Sequence, residues 1–399
     1  MESLRQPMRK PLVIAAAALA LTACSVRTPL SVEVVRSEML RCPEASYIDG
    51  MKGSLKWNYT TGLELKAFID VYSVCGQEDM LDYADAWYDA VIAPDGSIGG
   101  KYKLTNYSTD HICPGRTLFQ LYDITGKEKY RAAMDTLYRQ LAGHPRTQEG
   151  NFWHKKVYPG QVWLDGLYMA QPFYAEYASR YLPDSLRQAA YSDITEQFEL
   201  AFSHCFDPAT GLLRHAWDST GEMFWADPAT GLSAHAWGRA LGWYAMALVD
   251  VMEVFPQGEL RDRLGLLLRR IYEALPRYSD PRTGLWYQVL DCPGREGNYL
   301  EATCSAMFVY AWLKGIRLGA LGRGSRRAAL KTYRSMLKNF VSTDEDGVVS
   351  LMNCCEVAGL GGKDNRSGDY EYYIHEPVRA NDPKGIGPLI WAALEKERL

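Results

Sequence analysis

Residues Gly150 to Ala178 read GNFWHKKVYPGQVWLDGLYMAQPFYAEYA. Pro159-Gly160 is a turn signal. Beyond it Val162, Leu164, Leu167, Tyr168, Phe173, Tyr174 and Tyr177 recur at roughly helical spacing. The pattern predicts a helix over 160–181, with Trp163, Asp165 and Gly166 in its first two turns and His154-Lys155 just upstream. An acid in a first turn complements the helix dipole, which would suffice for a lone Asp. Asp165 lies between a tryptophan and a glycine and behind a His-Lys pair, and that company favours catalysis.

Working outward, helical periodicity predicts twelve segments, near 31–42, 58–75, 77–92, 108–125, 127–142, 160–181, 184–205, 235–255, 258–276, 299–318, 325–341 and 382–398. The punctuation repeats: Asp207-Pro208-Ala209-Thr210-Gly211-Leu212 returns as Asp227 to Leu232 and, with Arg282, as Asp280 to Leu285. Each is an Asp-Pro turn with a later glycine suited to positive φ. Short turns after one helix and longer excursions after the next predict six helical hairpins, an all-α (α/α)6 barrel in a single domain. An open solenoid is the alternative, but no fixed repeat of about 34–47 residues runs through the chain. In an alternating ring the even-numbered helices run parallel. Tyr59, Asp110, Trp163, Asp165, Arg239 and Trp243 lie near the starts of four of them and so share one mouth. Arg239 opposes its helix dipole, which costs about 0.3–1 kcal/mol when exposed, as a ligand-binding residue would.

The chain opens with Arg5, Arg9 and Lys10, an apolar run from Leu12 to Ala20, then Leu21-Thr22-Ala23-Cys24. This predicts a lipoprotein signal over 1–23, a lipid on Cys24, a tether over 24–34 and the barrel over 35–399. An ordinary secretory signal with an incidental cysteine is the alternative. The expected address is an exported, membrane-anchored protein facing the periplasm or the cell surface, touching the membrane through that anchor only. No later run approaches the roughly 18 apolar residues of a membrane span. Losing residues 1–23 removes three cations and one acid, so the net charge moves from −4 to −6. With no long basic run, nucleic acid is not expected as a partner. Eight cysteines follow Cys24 without a CxxC pattern, the histidines are scattered, and no metal site is expected. Export permits disulfides, Cys292 with Cys304 for instance.

Asp165 and Asp110 are the candidate catalytic carboxylates. Glycosidases ordinarily use such a pair across the scissile bond. For Asp110 a place in a capped helix start, Tyr107-Ser108-Thr109-Asp110 with Ser108 or Thr109 as cap, stands beside the catalytic reading. Trp163 is expected to lower local polarity and raise the Asp165 pKa. Trp163 and Trp243 suit a sugar face, while His154, Lys155, His215 and Arg239 suit a carboxylate and hydroxyls. The 26 tyrosines and 11 tryptophans fit a carbohydrate protein and an aromatic core equally.

His154-Lys155 with Tyr158-Pro159, Gln161 through Met169, Trp237-Gly238-Arg239 with Gly242-Trp243, Gly359-Leu360-Gly361-Gly362, Asp369-Tyr370-Glu371-Tyr372-Tyr373, Glu376-Pro377 and Asn381-Asp382-Pro383-Lys384-Gly385 occur in order. As an ordered set they resemble the unsaturated rhamnogalacturonyl hydrolases of glycoside hydrolase family 105, relatives of the unsaturated glucuronyl hydrolases. The resemblance runs from about Val35 to the C-terminus. It implies an (α/α)6 barrel working without metal or organic cofactor. It makes Asp165 the general acid/base and puts Asp110, His154, Lys155, Trp163, His215, Arg239 and Trp243 in the pocket, with Tyr59 a looser match. Where the family commonly has Arg-Gly-Asn-Gly-Trp, this chain has Arg239-Ala240-Leu241-Gly242-Trp243, which bears on the subsites. The implied substrate is an unsaturated oligosaccharide made by a polysaccharide lyase, with rhamnose after the uronate. The implied reaction is hydration of its C4=C5 bond. A non-catalytic glycan-binding lipoprotein and an (α/α)6 sugar epimerase are the alternatives.

Overall fold

The computed structural model describes residues 28–399; the signal over 1–23 and Cys24 lie outside the described residues. Six helices form an inner ring: α2 (Tyr59–Cys75), α4 (Gly115–Thr125), α6 (Leu164–Tyr181), α8 (Gly238–Val254), α10 (Ala302–Arg317) and α13 (Pro383–Glu397). Each packs on the next, and α13 returns to α2 to close the ring. Outside them lie α1 (Leu30–Arg41), α3 (Glu78–Val91), α5 (Glu128–Ala142), α7 (Asp184–Cys205), α9 (Glu259–Ala274) and α11 (Arg326–Phe340). This is the (α/α)6 barrel. Burial follows from ring position. In α8 almost every residue from Gly238 to Met252 is buried, whereas α11 buries mainly Ala329, Tyr333, Met336 and Phe340, one stripe at helical spacing.

Inner helices pass to outer ones through short turns. At two of these Gly76 and Gly126 close the helix at φ 65° and 66°, the left-handed conformation that glycine adopts without strain. Outer helices return to inner ones through long excursions, 92–114, 143–163, 206–237, 275–301 and 341–382. All of these end at the N-termini of inner helices, so the irregular, function-carrying chain collects at one mouth. Within the excursions the three Asp-Pro turns form as expected. In each the glycine N–H donates to the aspartate carbonyl at 2.7 Å, and Gly211, Gly231 and Gly284 have φ of 76°, 74° and 71°.

Four expectations need correction. The segment over 108–125 is broken: Thr109–His111 is a single 3-10 turn, Pro114 follows, and α4 starts only at Gly115. Neither Ser108 nor Thr109 caps a helix there, so Asp110 does not belong to a capped helix start. Gln161–Trp163 is a short strand paired with Ala216–Asp218, and the helix begins one residue after Trp163. A thirteenth helix, α12 (Tyr370–His375), forms where Asp369 caps the N–H of Tyr372. Finally, the eight described cysteines are unpaired, Cys292 and Cys304 included.

The barrel interior away from the mouth is closed by charge. Asp250 of α8 accepts from Arg116 of α4 and Lys314 of α10, each at 2.8 Å, and from the Tyr310 hydroxyl at 2.5 Å.

Candidate active site

The strand Gln161–Trp163 and the first turn of α6 set the centre of the mouth. The Trp163 ring stacks on His154 at 4.6 Å and 13° and on Tyr158 at 5.3 Å and 6°. Behind it Ala216, Trp225 and Leu360 form a small separate apolar cluster, which holds the indole as a wall. Gly166 lets His154 approach: a Cβ there would sit 3.3 Å from His154 Nδ1 and 3.5 Å from Thr109 Oγ1.

Asp165 follows that wall directly. Its Oδ2 is buried and faces His215 Nε2 at 3.3 Å, a contact short of an aligned hydrogen bond, and neither atom has a hydrogen-bond partner elsewhere among the described residues. The side chain keeps 15% exposure, so Oδ1 is the exposed oxygen. Burial pushes the Asp165 carboxyl up, but His215 beside it and the Arg239 guanidinium outweigh it and hold the group below its ordinary value. The rise expected from Trp163 is therefore not the net result: apolar contact on one side loses to donors and charge on the others.

Asp110 carries an ion pair with Lys155, Nζ to Oδ2 at 2.5 Å. Burial raises its pKa, yet the Lys155 ammonium brings the net below the ordinary value. His154 is the reverse case. Burial, reinforced by Lys155, drives it down to about 3, so the ring is neutral. Thr109 Oγ1 donates to the His154 carbonyl at 2.9 Å and lies 3.1 Å from Nδ1. With its own proton committed to the carbonyl, Oγ1 accepts from Nδ1–H, which makes Nε2 an acceptor.

Arg239, in the first turn of α8, is 1% exposed. Its guanidinium lies 4.6 Å over the Trp237 ring and donates to the carbonyls of Cys355 at 2.6 Å and Glu356 at 3.3 Å. It thus clamps backbone as well as supplying charge. Tyr59 opens α2 and stands near Asp110, Arg239 and Asp165; burial raises its phenol, the two acids add to the rise, and the Arg239 charge opposes it without reversing it. Trp243, one turn further along α8, is 1% exposed and packs on Tyr168 at 4.7 Å; it belongs to the core beneath the site.

A cleft of about 620 Å³ opens beside these groups, lined by Tyr59, Asp110 and Lys155 among the expected residues. Lys56, His111, Arg379 and Lys384 also line it, and sequence reasoning assigned them no role. Lys384 lies in the Asn381-Asp382-Pro383-Lys384-Gly385 motif, where Asp382 pairs with it at 2.9 Å while capping α13 and so holds it in place. Tyr373, at 2.7 Å from His215 Nδ1, likewise stood in a motif without a role. The described residues contain one grouping with metal-ligand chemistry, His235, Asp291 and Cys292. There Arg214 pairs with Asp291 at 2.9 Å while also pairing with Asp207 at 2.6 Å, so a side-chain cation already stands against that carboxylate.

Comparison with known proteins fits this geometry. The profile described as Glycosyl Hydrolase Family 88 matches residues 30–399. A solved glycoside hydrolase of family 105 from C. acetobutylicum ATCC 824 is 42% identical, with 92% of this chain and 99% of that one covered at a TM-score of 0.87. The chain is a family 88/105 glycoside hydrolase. Protein Atu3128 of Agrobacterium fabrum is similar to it as well, at 41% identity over 237 residues, which are 57% of this chain and 97% of that one. An unsaturated glucuronyl hydrolase from Bacillus sp. GL1 is 13% identical with a TM-score of 0.60, covering 92% of this chain and 95% of its own. That likeness shows the shared fold. Membership of a hydrolase family sets aside the non-catalytic binder and the sugar epimerase.

Proposed function

We propose that this family 88/105 hydrolase removes a 4,5-unsaturated uronic acid from the non-reducing end of lyase-generated oligosaccharides by hydrating the C4=C5 bond. The observation that carries the reading is the unequal pair of carboxylates. Asp110 is locked to Lys155 at 2.5 Å, which suits it to remain ionised. Asp165 keeps its Oδ1 exposed and, among the described residues, unpaired by any cation, and has only His215 against its other oxygen. One carboxyl group is thus equipped to exchange a proton. Ordinary displacement at an anomeric carbon divides the work between two, whereas hydration of an enol ether needs a single group that serves as acid and then as base.

In this reaction the Asp165 Oδ1–H bond breaks and its proton forms the new C4–H bond. The π electrons of C4=C5 go to C4, leaving oxocarbenium character at C5. Water adds at C5 and returns a proton to Asp165, and the hemiketal opens to a keto-uronate as the remaining sugar leaves. The substrate brings its own carboxylate close to Asp165. Like charge disfavours ionisation, so binding lifts a pKa that the free protein holds low and loads the proton where it is used. Lys155 offers a charge for that carboxylate, His154 Nε2 accepts from a hydroxyl, and the Trp163 wall suits the apolar side of the ring.

The proposal extends to the substrate and the address. Unsaturated galacturonyl-rhamnose from rhamnogalacturonan is the expected disaccharide, on the family 105 kinship, and a lipid on Cys24 is the expected anchor. The test is a panel of unsaturated disaccharides from different lyases, followed by loss of ultraviolet absorbance at the double bond. Clearance of at least one, fastest for the rhamnose-linked member, is expected. No clearance of any member rejects the reaction.

A further inference from the structure

His215 is fully buried and holds Asp165 from below, so the state of its ring decides what Asp165 feels. Its Nδ1 lies 2.7 Å from the Tyr373 hydroxyl. Tyr373 belongs to α12 and is also fully buried. Its ring stacks on Trp237 at 6.0 Å and 23°, and its carbonyl accepts from Gln288 Nε2 at 3.2 Å. The phenol is therefore fixed by packing and by the main chain, independently of the histidine. Among the described residues the hydroxyl has no partner besides Nδ1.

Hydrogen-bond accounting then settles the direction. A buried O–H without an acceptor is costly, and nearly all such groups find one. The acceptor on offer here is the Nδ1 lone pair, so Tyr373 donates. A neutral imidazole that accepts at Nδ1 carries its proton on Nε2, and Nε2 is the atom that faces Asp165 Oδ2. We propose that Tyr373 is a positioning residue that holds His215 as the Nε2–H tautomer, making His215 a permanent donor to Asp165 rather than a base in the reaction. This rests on the reading of Asp165 as the acid/base.

The consequence lies in which oxygen of Asp165 works. A fixed donor at Oδ2 leaves Oδ1, the open oxygen, to carry the proton. The 3.3 Å separation is long beside the 2.7–2.9 Å usual for a charge-assisted bond, and contacts of this kind tighten in the reacting complex. The groups facing the Asp165–His215 pair are His154 from the excursion before α6, Arg239 from α8, Tyr59 from α2 and Tyr373 itself. None of the others reaches Nδ1, so the lock depends on one hydroxyl.

The test uses the intact protein with ¹⁵N-labelled imidazoles. Long-range proton–nitrogen spectra are expected to show His215 protonated at Nε2 and bare at Nδ1 in the native protein. A proton on Nδ1 overturns the proposal, and this arm needs no variant. Tyr373→Phe removes the hydroxyl and keeps the ring. It is expected to lower kcat on an unsaturated disaccharide about tenfold with KM within about twofold. It is also expected to move the high-pH limb of kcat/KM upward, since a poorer donor leaves the Asp165 carboxylate less stabilised and its pKa higher. A variant that melts earlier but keeps native kcat and pH profile shows a structural role and overturns the proposal. If the native protein clears no unsaturated disaccharide, the functional reading fails, while the tautomer spectrum still decides the question of Tyr373.

Discussion

Asp165→Asn separates proton transfer from shape. Asparagine is nearly isosteric and still accepts from His215 through its carbonyl oxygen, so the variant is expected to fold as the native protein does. It cannot give a proton to C4 or take one from water, and the loss in kcat is expected at about 10²–10⁴-fold or beyond, with unsaturated disaccharide still bound. A rate within a few-fold of native would move the acid/base role to Asp110. The depressed pKa of Asp165 carries a second prediction. A proton donor loses activity as pH rises through its pKa. In the free protein that pKa is low because donors and the Arg239 charge outweigh burial, whereas the bound uronate raises it. The high-pH limb of kcat, which reports the complex, is therefore expected at higher pH than the limb of kcat/KM, which reports the free protein. Coincident limbs in the two profiles would show that substrate does not load the proton.

At the scale of elements, Arg239 joins α8 to the segment that carries Cys355 and Glu356, and Glu356 lines the cleft. Lysine keeps the charge but lacks the planar fork that spans two carbonyls. Arg239→Lys is expected to cost about 1.5–3 kcal/mol, the range for hydrogen bonds to a charged group, and to reduce turnover as the cleft wall loosens. Denaturant titration and the ultraviolet assay on one preparation check both effects. Native values in both would show that neither the fork nor its position matters. The close packing of α8 on α10 is as specific: a Cβ at Gly242 would meet Met307 Sδ at 2.7 Å.

For the molecule as a whole, the polar plug around Asp250 ties three inner helices far from the mouth. Burial raises the Asp250 pKa, but Lys314 and Arg116 reverse this and hold it well below the carboxylate range. A depressed folded-state pKa means that the stabilisation is complete above the ordinary carboxylate range and fades as pH falls through it toward the folded value. Asp250→Ala leaves two buried cations without their shared partner and is expected to cost about 3–5 kcal/mol. KM is expected to stay near native in the folded fraction, because the plug does not line the cleft. Chemical unfolding at neutral pH and near pH 3 checks this: the gap between native and variant should narrow in acid, and a constant gap would assign the loss to packing. The proposed anchor belongs to this scale too. Metabolic labelling with a fatty acid is expected to mark the native chain and not Cys24→Ala, and equal absence of label would reject the lipoprotein reading.

The ring itself was legible because it rests on local rules: apolar spacing near 3.6, Asp-Pro turns whose glycines take positive φ, and the alternation of short and long connections. Those rules also placed Asp165, Arg239 and Tyr59 at helix starts, and parallel inner helices necessarily bring such starts together. What the sequence by itself could not decide is how groups from separate excursions face each other. Asp110 left its expected helix because Pro114 delays α4, and it is Lys155, more than forty residues away, that holds its charge. The protonation of Asp165 depends on His215 and Arg239 against burial, a balance of fields that no neighbouring tryptophan reveals. Tyr373 and the Asp250 plug stayed hidden for the same reason: their partners are chosen by tertiary packing, where a buried polar atom must take whichever group the fold delivers.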